Sequence, residues 1–128
     1  MKKCVFCNNK EFEYIIVNKY SFSIKDQYPV SDGHCLIIPK RHVQTIWELS
    51  DEELKDLYDT LLKTKQTLES NYNPDPNKPD GYNIGINQGE AAGQTVPHLH
   101  IHLIPRYEGD VVCPRGGVRG VIPSKQFY

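Results

Sequence analysis

The stretch His98-Leu99-His100-Ile101-His102-Leu103-Ile104, closed by Pro105, decides how the chain is read. Histidine stands at every second position and an aliphatic residue fills each gap. Period two is the period of a β-strand. It predicts a strand over 98–104 with three imidazoles on one face and Leu99, Ile101 and Leu103 on the other. Three of the chain's five histidines then lie along about 14 Å of backbone. An imidazole carries a polar atom on both sides of its ring, so such a row is costly to bury unless each nitrogen is used. A half-exposed surface strand shows the same alternation. Two chemical readings stand beside that bland one: metal ligation by a His-x-His strand, and phosphate chemistry by neutral and protonated imidazoles. The histidines alone leave both open.

The preceding residues favour phosphate. Asn87-Gln88-Gly89-Glu90-Ala91-Ala92-Gly93-Gln94-Thr95-Val96-Pro97 is a polar, glycine-bearing loop that runs straight into the row. Glycine lets a backbone approach an anion closely, and Gln94 and Thr95 add side-chain donors. Gly and Asn also simply make turns.

With the loop and the row together, Gly93-Gln94-Thr95-Val96-x-His98-x-His100-x-His102-Leu103-Ile104 resembles the signature of the histidine triad family of nucleotide hydrolases and transferases. The resemblance extends to Asp32-Gly33-His34-Cys35-Leu36-Ile37-Ile38-Pro39-Lys40-Arg41-His42 and to Asn87, over roughly residues 4 to 110. It implies an α+β fold: an antiparallel sheet of about five strands packed with one long helix. It implies that His100 attacks the α-phosphorus of a nucleotide, that His102 donates to a non-bridging oxygen, and that His98, where no zinc takes it, hydrogen-bonds in support of the row. Gly93, Gln94 and Thr95 hold the same phosphate, His34 lies near it, Asn87 binds the ribose or phosphate side, and Asp26 accepts from the ribose hydroxyls. No catalytic metal is required by that scheme.

Within the family, Ala92-Gly93-Gln94-Thr95-Val96 and Ile104-Pro105-Arg106-Tyr107-x-Gly109-Asp110 look like the Fhit branch and its bacterial relatives, which cleave dinucleoside polyphosphates. The Hint branch, which cleaves nucleoside phosphoramidates, usually has Ser in place of Thr95. Asn87 is the Hint-like choice. His102 disfavours the transferase branch, which usually carries Gln there. A nucleotide-binding module without turnover and a purely metal-binding protein using His98, His100 and His102 are the readings from other classes.

The first cysteines form Cys4-Val5-Phe6-Cys7, a spacing that zinc sites use, with no second C-x-x-C in the chain. No helical pattern follows directly to lower a thiol pKa, which disfavours a redox role. Two unrelated cysteines remain the plain alternative. The resemblance supplies partners: it implies a closed Cys2His2 structural zinc held by Cys4, Cys7, His42 and His98.

The remainder reads as one domain of 128 residues. A net charge of −1 gives no reason to expect a nucleic acid polymer as partner. No apolar run is long enough to span a membrane, and no signal-peptide pattern follows Met1-Lys2-Lys3, so a cytoplasmic protein is expected. Strands are predicted at Phe12–Val17 and Tyr20–Lys25 around Asn18-Lys19, at His34–Ile38, and at Tyr82–Asn87. Leu49–Tyr72 reads as the long helix. Ser50 and Glu53 form its capping box, and Leu54, Leu57, Tyr58, Leu61, Leu62, Lys65 and Leu68 its sheet-facing stripe. Asn73–Asp80 is a proline-rich stop, and Lys40 and Arg41 read as solvated. The tail 111–128 is basic and rich in Gly and Pro. It reads as a disordered terminus, or as a segment that crosses to a partner or lays arginines near a polyphosphate. The family resemblance implies a homodimer.

Overall fold

In the computed structural model, which describes residues 4–8, 11–71 and 78–128, five strands form one antiparallel sheet. The strands are β1 (Tyr14–Val17), β2 (Ser21–Lys25), β3 (Cys35–Pro39), β4 (Gly81–Gly85) and β5 (Ile101–Arg106), in the order β1-β2-β3-β5-β4. One turn of helix, α1 (Val5–Asn8), precedes them, and the long helix α2 (Asp51–Asn71) joins β3 to β4. The expected fold class is the observed one.

Strand β3 is buried on both faces, as a continuous apolar run requires. Cys35 and Ile37 join Leu57 and Leu68 of α2, while Leu36 and Ile38 join Phe6, Phe12 and Phe22 on the opposite face. Strand β5 shows the same division, with Leu99, Ile101 and Leu103 entering the α2-side core. The expected strand over 98–104 begins later, at Ile101. His98, Leu99 and His100 lie outside the ladder because Leu99 N–H donates to Val43 O at 2.7 Å and His98 N–H to Val96 O at 2.8 Å. The side chains still alternate: Leu99 enters the α2-side core, while His98 and His100 pack against Phe6. Gly33 holds φ +88° just before β3, and a Cβ there would lie 3.2 Å from Cγ of Pro105 in β5.

The N-terminus of α2 forms as expected. Glu53 N–H donates to Ser50 Oγ at 3.1 Å, and Ser50 N–H donates back to Glu53 Oε1 at 2.9 Å. Arg41 does more than meet solvent: its Nε and Nη2 each donate to the Glu53 carboxylate at 2.9 Å. The Arg41 guanidinium and the Ser50 cap draw the Glu53 pKa down to about 2.

The buried face of α2 differs from the expected stripe. Leu57 and Leu68 face the sheet, but Thr60 and Thr64 stand between them fully buried, and Leu54, Tyr58 and Leu62 point outward. The threonines belong to a hydroxyl network. Thr64 Oγ1 donates to Ser23 Oγ at 2.7 Å, Ser21 Oγ and Thr60 Oγ1 lie 2.6 Å apart, and Asn18 Nδ2 donates to Thr60 Oγ1 at 2.8 Å. Small polar side chains on β2 and α2 satisfy one another across the interface, so burial there costs little. Leu54, Tyr58 and Leu62 recur every fourth residue and form a second row around the helix. Tyr72 and residues 73–77 of the expected stop lie outside the described residues.

After β5, Asp110 fixes the exit of the chain. Arg106 Nε and Nη2 donate to its two carboxylate oxygens at 2.8 Å each. The tail then makes two 3-10 turns, Gly117–Val121 and Pro123–Lys125. Arg119 donates to Lys125 O at 2.8 Å, Arg115 donates to Tyr128 O, and both guanidiniums stack on the Tyr128 ring. The tail is therefore closed on itself, and its arginines are occupied there rather than laid toward the histidines. Among the described residues, no helix is long and apolar enough to cross a membrane.

Candidate active site

The three histidines of the row serve two different clusters, and one polar contact fixes each ring. At the N-terminal end of the row, the buried His98 donates from Nε2 to Pro39 O at 2.8 Å. That leaves Nδ1 as the lone-pair nitrogen. It faces Cys4 Sγ at 3.3 Å, Cys7 Sγ at 3.5 Å and His42 Nδ1 at 3.1 Å, while Cys7 Sγ and His42 Nδ1 are 3.4 Å apart. Four soft or borderline ligand atoms thus converge within 4.8 Å of one another. Tetrahedral bonds to zinc would space such donors about 3.3–3.8 Å apart. The Pro39 carbonyl holds His98 in the tautomer that ligation needs.

His100 is fixed in the opposite sense. Its Nδ1 lies 2.9 Å from His98 O, a carbonyl that can only accept, so Nδ1 carries a proton, and in the neutral ring Nε2 is the lone-pair nitrogen. Phe6 from α1 packs against the same ring at 5.1 Å between centroids.

His102 is set through His34. Val30 N–H donates to His34 Nδ1 at 3.1 Å, which places the His34 proton on Nε2. That N–H points at His102 Nδ1, 3.0 Å away, and at Asp26 Oδ2, 3.3 Å away. His102 Nδ1 is then an acceptor, and its proton sits on Nε2. Burial lowers the pKa of both His34 and His102, against the pull of Asp26 in the other direction, so both rings are neutral at neutral pH. The result is a bare nitrogen on His100 beside an N–H on His102, with ring centroids 5.1 Å apart.

Both rings line a cavity of about 470 Å³, together with Asp26, His34 and Thr95. Its far wall is apolar, with Phe12, Ile24 and Leu36 among the lining side chains. Asp26 also accepts from Tyr28 N–H at 2.8 Å, which holds its carboxylate at the rim.

The glycine loop is a tight turn. Gly93 N–H donates to Glu90 O at 2.9 Å, and Gly93 takes the left-handed conformation that lets the chain reverse there. Gln94 is occupied within the loop: its Oε1 accepts from Gly89 N–H at 2.8 Å, and its Nε2 donates to Gln44 O at 3.1 Å and Val96 O at 3.2 Å. Gln94 thus positions the turn that presents Thr95. Asn87 faces Gly93 and lines a second cavity beyond His102.

The structure therefore brings together His100, His102, His34, Asp26 and Thr95, and separately Cys4, Cys7, His42 and His98. The groups that set the tautomers are Pro39 O, His98 O and Val30 N–H. They carry no sequence signal, because every residue has a backbone carbonyl and every residue but proline an N–H. Phe6, which packs on His100, does have a readable signal, lying inside the C-x-x-C.

The HIT domain profile matches residues 8–109. An asymmetrical bis(5'-nucleosyl)-tetraphosphatase of Schizosaccharomyces pombe is 39% identical over 92 residues, covering 72% of this chain and 48% of that protein. An adenosine 5'-monophosphoramidase of Candida albicans is 34% identical over 107 residues, covering 80% of this chain and 70% of that protein. The crystal structure of a HIT family member from Bacillus subtilis superposes with a TM-score of 0.73 at 31% identity, covering 84% of this chain and 76% of the other. On a profile match across most of its length, the chain belongs to the HIT domain family.

Proposed function

We propose that the protein hydrolyses a dinucleoside polyphosphate at an α-phosphate, through a nucleotidyl-histidine on His100. The observation that carries this reading is the pairing of a bare His100 Nε2 with a His102 Nε2–H in one cavity. The nucleophile attacks phosphorus in line. The bond from phosphorus to the leaving phosphate oxygen breaks, and the electron pair leaves on that oxygen. His102 donates to a non-bridging oxygen, and Thr95 adds a hydroxyl. Water then cleaves the phosphorus–nitrogen bond and releases a nucleoside monophosphate. The apolar wall at Phe12, Ile24 and Leu36 suits a base, and Asp26 at the rim suits vicinal ribose hydroxyls. Asn87 serves the ribose or phosphate side. The tetraphosphatase relative supports this substrate class.

A purine phosphoramidate would meet the same two nitrogens, and the Candida relative favours that second reading. The test is AMP release from diadenosine tetraphosphate and, separately, from adenosine 5'-phosphoramidate, beside His100→Ala. AMP chiefly from the first supports the proposal. AMP chiefly from the second moves it to the phosphoramidase reading, and none from either leaves a binding module.

The reading includes a structural zinc on Cys4, Cys7, His42 and His98, outside the reaction. Such an ion would tie the N-terminus to the sheet. A cytoplasmic setting would keep the thiols reduced and available. It also includes a homodimer, supported by the exposed apolar row Leu54, Tyr58 and Leu62. Light scattering returning a monomer mass would remove that part.

A further inference from the structure

Phe6 belongs to two parts of the molecule at once. It lies inside Cys4-Val5-Phe6-Cys7, and its buried ring packs on His98 at 5.7 Å and on His100 at 5.1 Å between centroids. It is a wall of the cavity that holds His100 and His102. It is also a wall of a separate cavity of about 380 Å³, with Cys7, Tyr14, Val17, Phe22 and Lys40. We infer that Cys4 and Cys7 form an oxidant-sensitive latch on the nucleotide cavity: joined as a disulfide, they draw Phe6 off His100 and weaken nucleotide binding. The inference rests on the proposed four-ligand zinc and, for turnover, on the proposed attack by His100.

Three observations carry it. The first is access. Of the four converging residues only His98 is buried; Cys4 is half-buried, and Cys7 and His42 are exposed. The cluster therefore opens to solvent on the Cys7 side, where a small oxidant reaches sulfur. A free thiol would still need activation, which is the objection raised by the sequence. Ligation supplies it, because a coordinating thiol is deprotonated outright.

The second is coupling. Cys7 N–H donates to Cys4 O at 3.2 Å and closes the turn that carries Phe6. Both sulfurs rest against His98 Nδ1, at 3.3 and 3.5 Å, and so hold that turn on the sheet. A sulfur–sulfur bond is only about 2 Å long, so making it takes both sulfurs out of this arrangement. His42 and His98 then remain, too few to keep a four-coordinate ion. The turn loses its tie, and Phe6 moves with it.

The third is a destination. The ring need not move into water, because the 380 Å³ cavity has room for it beside Tyr14 and Phe22, whose own rings pack at 5.4 Å. Two packed positions for one ring make the two-state element that such a switch biases.

Hydrogen peroxide balances the step. One thiolate attacks it, forming a sulfenic acid and releasing hydroxide. The other thiolate attacks that sulfur and expels a second hydroxide. The sulfurs lose two electrons, the peroxide gains them, and the two hydroxides match the charge of the released dication.

The experiment uses the full chain carrying Cys113→Ser, which removes the other exposed thiol. The protein is treated with hydrogen peroxide, then with dithiothreitol and zinc. Peptide mass spectrometry is expected to show Cys4 joined to Cys7, two hydrogens lighter, with zinc released in step to a coloured chelator. AMP affinity by calorimetry should fall about tenfold on oxidation and return on reduction, with the helix signal by circular dichroism unchanged. Phe6→Ala should form the same disulfide but bind AMP weakly in both states, with a difference under about twofold. Equal AMP affinity in the two states of the parent, absence of binding in both included, overturns the latch. So does a tenfold response that survives in Phe6→Ala, or a loss of binding that comes with loss of the helix signal. Zinc content before treatment and turnover of diadenosine tetraphosphate are read separately. Their failure removes the zinc or the reaction, while the disulfide and the AMP comparison still decide the latch.

Discussion

The two faces of the segment 98–104 are built on different rules. Leu99, Ile101 and Leu103 are fixed by volume. They fill the space under α2 beside Leu57 and Leu68, and any well-fitting aliphatic side chain would serve nearly as well. His98, His100 and His102 are fixed by one polar contact each, to Pro39 O, to His98 O and to His34 Nε2. The difference teaches where the information lies. The core face needs the right total volume, whereas the histidine face needs a specified proton on a specified nitrogen. Three chemically identical rings in a row thereby take two tautomers: His98 and His102 carry the proton on Nε2, with Nδ1 turned to the cysteines and to His34, and His100 carries it on Nδ1.

Substitutions sharpen this contrast. His100→Ala should lower kcat by about 10⁴-fold or more while leaving nucleotide affinity within a few-fold, measured by turnover and calorimetry. Leu99→Ala on the opposite face should do the reverse. It should cost about 2–5 kcal/mol of stability by urea unfolding, with the folded fraction retaining its kcat. Stripping metal with a chelator should release close to one zinc per chain and lower the melting temperature by about 5–10 °C, as the loss of a ligand that binds only the folded state requires. Well under one equivalent in the untreated protein would remove the zinc. Ser50→Ala, far from both faces, should cost only about 1 kcal/mol and leave turnover unchanged.

Acid also parts the faces. His34 and His102 have pKa values lowered by burial, facing each other, Asp26 and His100. Their neutral forms are favoured in the folded state, so this contribution to stability is complete above the unfolded value near 6.5 and is lost as pH falls through the lowered values. A protonated His34 can no longer accept from Val30 N–H, and the proton pattern on His102 is lost with it. The prediction is a fall in kcat/KM on the acid side of neutrality, ahead of any loss of helix signal by circular dichroism. A flat profile down to the unfolding transition would break the relay from Val30 to His102.

Much of this was legible in the sequence. The period of the histidine row gave the two faces, Ser50 and Glu53 gave the start of α2, and the run Cys35–Ile38 gave the central strand. The rest was hidden for definite reasons. The stripe read on α2 followed hydrophobicity, yet Thr60 and Thr64 are buried beside Leu57 and Leu68, because Ser21 and Ser23 wait opposite them on β2. Partner hydroxyls 39 and 41 residues away leave no local pattern. The start of β5 was misplaced because Val43 captures the Leu99 amide outside the ladder. Gln94 offers a good amide donor in sequence, and its bonds to Gln44 O and Val96 O depend on residues whose approach has no sequence signal. In the tail, composition showed the basic charge but could not show two guanidiniums folded onto Tyr128.

The central claim is that His100 Nε2 is the bare nitrogen that reacts. Its most direct test is to quench diadenosine tetraphosphate turnover at early times under mildly basic conditions and sequence the modified peptides by mass spectrometry. The account predicts one nucleoside monophosphate, less water, attached to His100, and no adduct in His100→Ala. Sustained AMP release with the adduct on another residue, or with no adduct at any time, would contradict it.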